Sequence, residues 1–148
     1  MDYNLDEWDK GIIQCLSKDG RISFTEIAST LNVTEKTIRL RYKNLVDNGI
    51  ISVVGVVNPV SIGIKAGAIL QLKVIPQGMD QAIEALKSFR EIRFITMTSG
   101  PYPLLAQIAV PGQDDITQLI HRINKLPFIT EINTIIQHEV YKTSYDYF

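Results

Sequence analysis

The spacing of apolar residues changes character once along this 148-residue chain. Up to about Asn48 they recur every three or four positions, as in helices buried along one side. Beyond Pro59, short β-branched or alternating segments are separated by two helical ones. The pattern therefore predicts an α+β chain with two parts: a helical part with a linker strand, residues 1–58, and a mixed part, residues 59–148.

The first predicted helix runs from Asp6 to Lys18, with Asp6 as its N-cap. Its predicted inward stripe consists of Trp8, Ile12, Ile13, Cys15 and Leu16. Because Cys15 is the chain's only cysteine and lies in this stripe, we expect it to behave as a small buried hydrophobe.

Two further helices follow in quick succession. Ser23 to Glu26 has the form of a capping box, which indicates the start of the second helix. After a tight turn at Asn32-Val33, Thr34 can cap a third helix that runs to about Asn48. This arrangement resembles a helix-turn-helix, whose second helix enters the major groove of DNA. The Val-rich segment from Ile50 to Asn58 then predicts a strand.

The C-terminal part predicts four strands and two helices in the order βαββαβ. The strands are expected at 65–75, 92–99, 104–110 and 130–142, and the helices at 79–89 and 114–126. This order is typical of a ferredoxin-like fold with both helices on one face of an antiparallel sheet. The strands are apolar on both sides, so the second face needs a partner, and self-association is the simplest one.

The chain is not basic overall, with a net charge of −1 and a pI near 6.1, which argues against a protein that coats nucleic acid indiscriminately. The third helix is nevertheless locally basic, and burial of Ile38, Tyr42 and Leu45 leaves its cations outside. Such a run is either a solvated helix face or a DNA-binding face, and the surrounding helices favour double-stranded DNA. The predicted DNA-binding residues are Ser23, Thr34, Lys36, Thr37, Arg39, Leu40, Arg41, Lys43 and Asn44.

Other classes of site find no support in the sequence. There is no glycine-rich phosphate loop, no metal-ligand spacing and no nucleophile elbow, so we predict no cofactor, no metal and no enzyme activity. His121 and His138 are expected on the surface or at an interface. Without a secretory signal or a long apolar run, the chain is expected in the cytoplasm and away from membranes.

Over nearly its full length the sequence resembles the Lrp/AsnC, or feast/famine, transcriptional regulators. The matching stretches are Leu5 to Leu16, Asp19 to Arg21, SFTEIASTL, VTEKTIRLRYKNLVDNGII, Asn58 to Gly63, Ser99-Gly100 and ITEINTII. The resemblance implies a winged-type helix-turn-helix, a regulatory domain, and assembly as homodimers and often octamers.

The resemblance also implies a small-molecule effector, such as an amino acid, bound near the loop that joins the second and third strands of the regulatory domain. The implied effector-binding residues are Ser99, Gly100, Tyr102, Pro103, Thr134 and Ile136. Where family members usually carry Asp after the aromatic residue, this chain has Pro103. The loss of that carboxylate predicts poor binding of ordinary amino acids through their ammonium group.

Two other functions share this architecture. One is a DNA-architectural protein with little sequence preference, and the other is a haem-precursor decarboxylase of related build. The scarcity of histidines and the basic helix disfavour the decarboxylase. The sequence alone hardly separates the architectural protein from a sequence-specific regulator.

Overall fold

The computed structural model describes residues 4–142 of the chain. These residues form two compact units, 4–56 and 57–142. The N-terminal unit contains α1 (Glu7–Lys18), α2 (Phe24–Leu31) and α3 (Glu35–Asp47). Its core consists of Ile12, Leu16, Ile27, Ala28, Ile38 and Leu45.

All three predicted N-caps of this unit are confirmed. Side-chain oxygens of Asp6, Ser23 and Thr34 each accept a hydrogen bond from the backbone N–H three residues later, at 2.9, 3.2 and 3.2 Å. These bonds satisfy N–H groups that have no partner within their own helix. Gly49 follows α3 with φ of +68°, a left-handed exit that side chains other than glycine seldom adopt.

The inward stripe predicted for α1 is wrong at one end. Trp8 is 47% exposed, whereas the neighbouring Asp9 is buried. Periodicity alone favours the tryptophan, but a buried carboxylate becomes tolerable when a cation reaches it, and Arg41 of α3 does so. Cys15 is partly buried against the core, in line with its predicted role as a small hydrophobe.

The linker strand predicted at 50–58 is also wrong. No residue of this segment belongs to a strand, and Val54, Val56 and Val57 are exposed. β-Branched residues favour an extended backbone, but a strand also needs a neighbouring strand to pair with. Within the described part of the chain this segment has no such neighbour.

The C-terminal unit begins with a short 3₁₀ turn at Val60–Ile62 and then follows the predicted βαββαβ order. Its elements are β1 (Ala66–Val74), α4 (Met79–Lys87), β2 (Ile92–Met97), β3 (Leu104–Val110), α5 (Gln113–Ile123) and β4 (Ile129–Gln137). The strands form one antiparallel sheet in the order β2-β3-β1-β4. The second and fourth strands end earlier than predicted.

One face of this sheet packs against both helices. Alternate residues of β1 and β3, including Leu70 and Ala106, are fully buried in a common core with Leu86 of α4 and Leu119 of α5. The alternation of buried and half-buried residues along β1 and β3 follows from the pleat, which sends successive side chains to opposite faces. The helix-covered face is the predicted core.

The other face of the sheet is more mixed than the sequence predicts. Ile69 and Ile135 stand opposite each other on β1 and β4. Beside them, two pairs of amide side chains form hydrogen bonds: Gln107 with Gln137 at 3.2 Å and Asn133 with Gln71 at 2.7 Å. This open face is therefore an apolar strip lined by amide pairs, with Ile135 43% exposed.

Candidate nucleic-acid interface and effector loop

The outward side of α3 forms a shallow groove over its first three turns. Its lining residues are Lys36, Thr37, Leu40, Arg41 and Asn44. These positions share a face because residues three and four apart on a helix are neighbours. Leu40 is 62% exposed at the middle of this face, an unusual place for a large apolar side chain between polar ones.

Two of the predicted DNA-contacting cations are held by acids of their own helix. Arg39 donates to Glu35 at 2.5 and 2.8 Å, and Lys43 donates to Asp47 at 2.7 Å. The hydrogen bond that Lys43 donates to Asp47 raises the pKa of the Lys43 ammonium group. Both pairs are exposed and four residues apart, so DNA phosphates can replace these acids at little cost. Lys36 forms no ion pair with any described residue.

Arg41 is held quite differently from the other cations of α3. Its guanidinium donates to Asp6 at 2.7 Å and to the buried Asp9 at 2.9 Å, so it joins α3 to α1. It also lies 4.8 Å from the centre of the Trp8 ring, within range of a cation–π interaction. Partial burial opposes it, but the hydrogen bonds to Asp9 and Asp6 raise the pKa of Arg41. Its side chain is only 23% exposed.

Ser23 and Thr34 begin the two helices of the motif, and their hydroxyl groups serve as caps. The Thr34 hydroxyl lies 2.8 Å from the hydroxyl of Thr37. Across the turn, the Thr25 hydroxyl donates to Glu35 at 2.7 Å. This bond, and then Arg39, lower the pKa of Glu35, which therefore ties α2 to α3 as a charged group. The motif is fixed by polar contacts as well as by its core.

The predicted effector loop is a hairpin between β2 and β3. The backbone N–H of Thr98 donates to the Pro103 carbonyl at 2.9 Å, and the Thr98 hydroxyl donates to the Tyr102 carbonyl at 2.5 Å. Gly100 adopts φ of +102°, with open space where a Cβ would lie. Ser99 is exposed, whereas Tyr102 and Pro103 are half-buried. The loop thus exposes its glycine tip and turns Tyr102 back toward the open face of the sheet.

Tyr102 meets two residues that the sequence did not single out. Its hydroxyl donates to Glu131 Oε1 at 2.5 Å, and Lys73 Nζ donates to Glu131 Oε2 at 2.6 Å. The Lys73 ammonium also lies 4.9 Å from the centre of the Tyr102 ring. These contacts lower the pKa of Glu131, chiefly through Lys73, and raise the pKa of Tyr102, chiefly through Glu131.

The strand register explains why the sequence did not reveal the cluster of Lys73, Tyr102 and Glu131. It also shows that two predicted effector-binding residues, Thr134 and Ile136, lie on the other face of the sheet. Lys73 and Glu131 are direct partners across β1 and β4, a relation visible only once the sheet is assembled. Thr134 is three positions beyond Glu131 and pairs with the buried Leu70, so its side chain faces the helices. Ile136 packs on the same helix-covered side. Within this chain, Tyr102 is joined to Glu131 and Lys73 on the opposite face.

Within residues 4–142, no group of three or more His, Cys, Asp or Glu side chains could hold a metal ion. His121 and His138 are exposed, as predicted for surface histidines. No helix in this range is long and apolar enough to cross a membrane.

A helix-turn-helix followed by an antiparallel sheet with two helices is the architecture of a two-domain DNA-binding regulator. Residues 5–46 match the AsnC-type helix-turn-helix domain, and residues 67–147 match the Lrp/AsnC ligand binding domain. The chain therefore belongs to the Lrp/AsnC family of transcriptional regulators, as its sequence predicts.

Several relatives are similar over nearly their whole length. An uncharacterized HTH-type transcriptional regulator of Pyrococcus furiosus is 32% identical over 95% of this chain and 97% of the relative. The HTH-type transcriptional regulator LrpA of Pyrococcus horikoshii is 33% identical over 86% of this chain and 92% of its own. The structure of E. coli AsnC shares the fold, with a TM-score of 0.88, 24% identity and coverage of 95% and 97% of the two chains.

Proposed function

We propose that this regulator recognises double-stranded DNA through the groove face of α3, with Lys36, Thr37, Leu40 and Asn44 facing the bases and nearby phosphates. The observation that carries this assignment is the exposed Leu40 between polar side chains. An apolar side chain in the major groove can contact the C5-methyl group of thymine, and an asparagine can pair with adenine. The target is therefore expected to contain A·T pairs opposite the centre of α3.

The other predicted residues have supporting roles in this arrangement. Arg39 and Lys43 exchange their exposed acids for DNA phosphates, while Ser23 and Thr34 position the two helices of the motif. Arg41 lines the groove but remains bound to Asp6 and Asp9. We therefore expect Arg41 to orient α3 more than to neutralise DNA, although the sequence analysis includes it among the DNA-binding residues.

Removal of a single methyl group from the DNA tests the role of Leu40. Binding sites are first selected from random DNA, and each thymine is then replaced in turn by uracil, which lacks only the C5-methyl. Loss of one buried methyl costs about 0.8 kcal/mol, or roughly a fourfold weaker Kd. We expect one such position in each half-site, and we expect its effect to disappear in Leu40→Ala.

Val46 supplies the matched control for that experiment. It is an exposed apolar residue of α3 that lies outside the groove, so Val46→Ala should keep the preference for thymine. If uracil is tolerated everywhere, or if it still weakens binding to Leu40→Ala, Leu40 does not contact a thymine methyl. A selection that enriches no motif would instead support the architectural function considered from sequence.

We also propose that the regulatory unit, residues 59–148, forms a homodimer through the open face of its sheet. The apolar strip around Ile69 and Ile135 supports this assignment. The double substitution Ile69→Lys and Ile135→Lys in the full chain should convert a sedimenting dimer or octamer into monomers, because two cations would be buried without partners. An unchanged sedimentation coefficient would place the interface elsewhere.

A small-molecule effector is proposed for the loop that contains Ser99 and Gly100. Residues 67–147 match the Lrp/AsnC ligand binding domain. A structurally similar regulator of Neisseria meningitidis was solved as a complex with L-Met; its TM-score is 0.88 at 16% identity, with 96% of this chain and 95% of that chain covered. Thermal shifts with candidate metabolites, and their loss in Gly100→Trp, test this assignment. Because the chain belongs to a family of DNA-binding regulators, we also propose a cytoplasmic location and no catalytic role.

A further inference from the structure

The cluster of Lys73, Tyr102 and Glu131 has the composition of a binding site for an ammonium group. A carboxylate and an aromatic face together attract a cation through a charge-assisted hydrogen bond and the ring quadrupole. Here the carboxylate is Glu131, and its second oxygen is held by the Tyr102 hydroxyl at 2.5 Å. The cation that occupies this site belongs to the protein itself.

Lys73 makes both of these interactions, with the Glu131 carboxylate and with the face of the Tyr102 ring. Its ammonium lies 2.6 Å from Glu131 Oε2 and 4.9 Å from the centre of the Tyr102 ring. The hydrogen bond that Lys73 donates to Glu131 raises the pKa of the Lys73 ammonium group, which keeps it protonated. Because Lys73 and Glu131 face each other across paired strands, the sheet register fixes this occupancy.

We propose that Tyr102 and Glu131 form an ammonium subsite beside the effector loop and that Lys73 fills it, so that Lys73 determines which class of ligand the loop accepts. This inference rests on the proposed effector function of the loop. Ligands that carry a primary ammonium group, such as α-amino acids, are excluded from this subsite. The corresponding 2-oxo acids lack the ammonium and are not excluded.

The exclusion arises because Lys73 is tethered to its own site. A free ammonium compound must compete with a group whose effective concentration is in the millimolar range or above. The side chains of Lys73 and Glu131 are 39% and 47% exposed, so their ion pair is worth up to roughly fivefold in Kd. Removal of the tethered ammonium should strengthen the binding of ammonium ligands by about that factor.

This proposal is tested with the full chain and paired ligands: alanine with pyruvate, and methionine with 4-methylthio-2-oxobutanoate. Dissociation constants are measured by calorimetry for the wild type and for Lys73→Met, a substitution that keeps the length and apolar stem of the side chain. We expect Lys73→Met to bind the amino acids about fivefold more tightly than the wild type does. Binding of the 2-oxo acids should change by less than about twofold.

Three further variants separate the subsite from a general effect of losing a lysine. Lys87→Met removes an exposed lysine from a comparable ion pair in α4 and should leave binding unchanged. Lys73→Arg retains a cation and should keep amino acids excluded. Lys73→Met combined with Glu131→Gln should lose the gain, because the carboxylate that holds the ammonium is gone.

The outcomes separate this inference from the effector function on which it rests. If the wild type binds amino acids as tightly as Lys73→Met, the self-occupied subsite is wrong and the effector loop stands. If ligands of either class bind but Lys73→Arg behaves like Lys73→Met, the inference is again overturned. If no variant binds any of the four ligands, both the subsite and the effector assignment fail, while DNA binding is decided by its own assay.

Discussion

Replacement of Arg41 by glutamine removes the cation that joins α3 to α1. The Asp9 side chain, only 4% exposed, would then lose its 2.9 Å bond to a guanidinium and gain at most one neutral donor in its place. A buried carboxylate without its cation is unfavourable because water cannot solvate it. We therefore expect Arg41→Gln to destabilise the N-terminal unit.

The size of the effect follows from burial. Removal of one partner of a buried ion pair costs about 3–5 kcal/mol. This cost is reduced for two reasons: Arg41 is 23% exposed to solvent, and Asp9 also accepts a hydrogen bond of 3.4 Å from the Asp6 backbone N–H. The expected loss in the free energy of unfolding is about 2–3 kcal/mol.

The chain's only tryptophan provides the assay. Trp8 lies against Arg41, so its fluorescence during urea denaturation reports on this unit. Lys43→Gln is the control, since it breaks an exposed pair within one helix and should barely move the urea midpoint. Equal midpoints for the two variants would refute the reasoning that burial makes Arg41 special.

DNA binding gives a second and independent check on Arg41. Each phosphate contact contributes close to one unit to the slope of log Kd against log salt concentration. We expect Lys36→Gln to lower the slope by about one unit and Arg41→Gln to change it far less. A loss of a full unit in Arg41→Gln would show instead that Arg41 contacts a DNA phosphate.

Three other outcomes are expected. In ultraviolet titration, Tyr102 should ionise above the ordinary tyrosine range, and Glu131→Gln should bring the pKa of Tyr102 back down. The stability that depends on neutral Tyr102 is present below about pH 10 and is lost as the pH rises through the raised pKa of Tyr102. Gly100→Ala should cost about 1–2 kcal/mol, since φ of +102° strains a residue with a Cβ even in open space, and an unchanged melting temperature would contradict this. The pKa of Asp6 is lowered first by the backbone N–H of Asp9 and then by Arg41. The stability that depends on ionised Asp6 is therefore present above about pH 3.9 and should fall as the pH drops through the lowered pKa. In a series of urea midpoints at different pH, Asp6→Asn should reduce this loss of stability at acid pH.

The helices were predictable because their signals are local. The caps at Asp6, Ser23 and Thr34 act within three residues, and the structure confirms each of them. The segment 50–58 was mispredicted because its β-branched residues favour a strand locally, whereas a strand also needs a neighbouring strand that the local sequence does not reveal. Trp8 was placed inward by its hydrophobicity, whereas the burial of Asp9 depends on an arginine 32 positions away.

The candidate surfaces also differ in how far local sequence signals predict them. The groove residues of α3 follow from helical spacing alone, because one helix carries them all. Lys73 and Glu131 are 58 residues apart, and no local pattern marks them as neighbours. The absence of an acid at position 103 is visible in the sequence, but the carboxylate that reaches Tyr102 from β4 is not.

The amide pairs on the open sheet face have a consequence for mixed populations of regulators. Gln107 with Gln137, and Asn133 with Gln71, satisfy one another within a single chain and flank the strip around Ile69. In the proposed dimer, a partner subunit that presents apolar or charged side chains opposite these amides would strip away their water without replacing its hydrogen bonds, whereas an identical copy carries the same amides. If the open face forms that dimer in a cell that makes several related regulators, this pattern would favour pairing of like with like, and each DNA site would be read by two copies of the same helix.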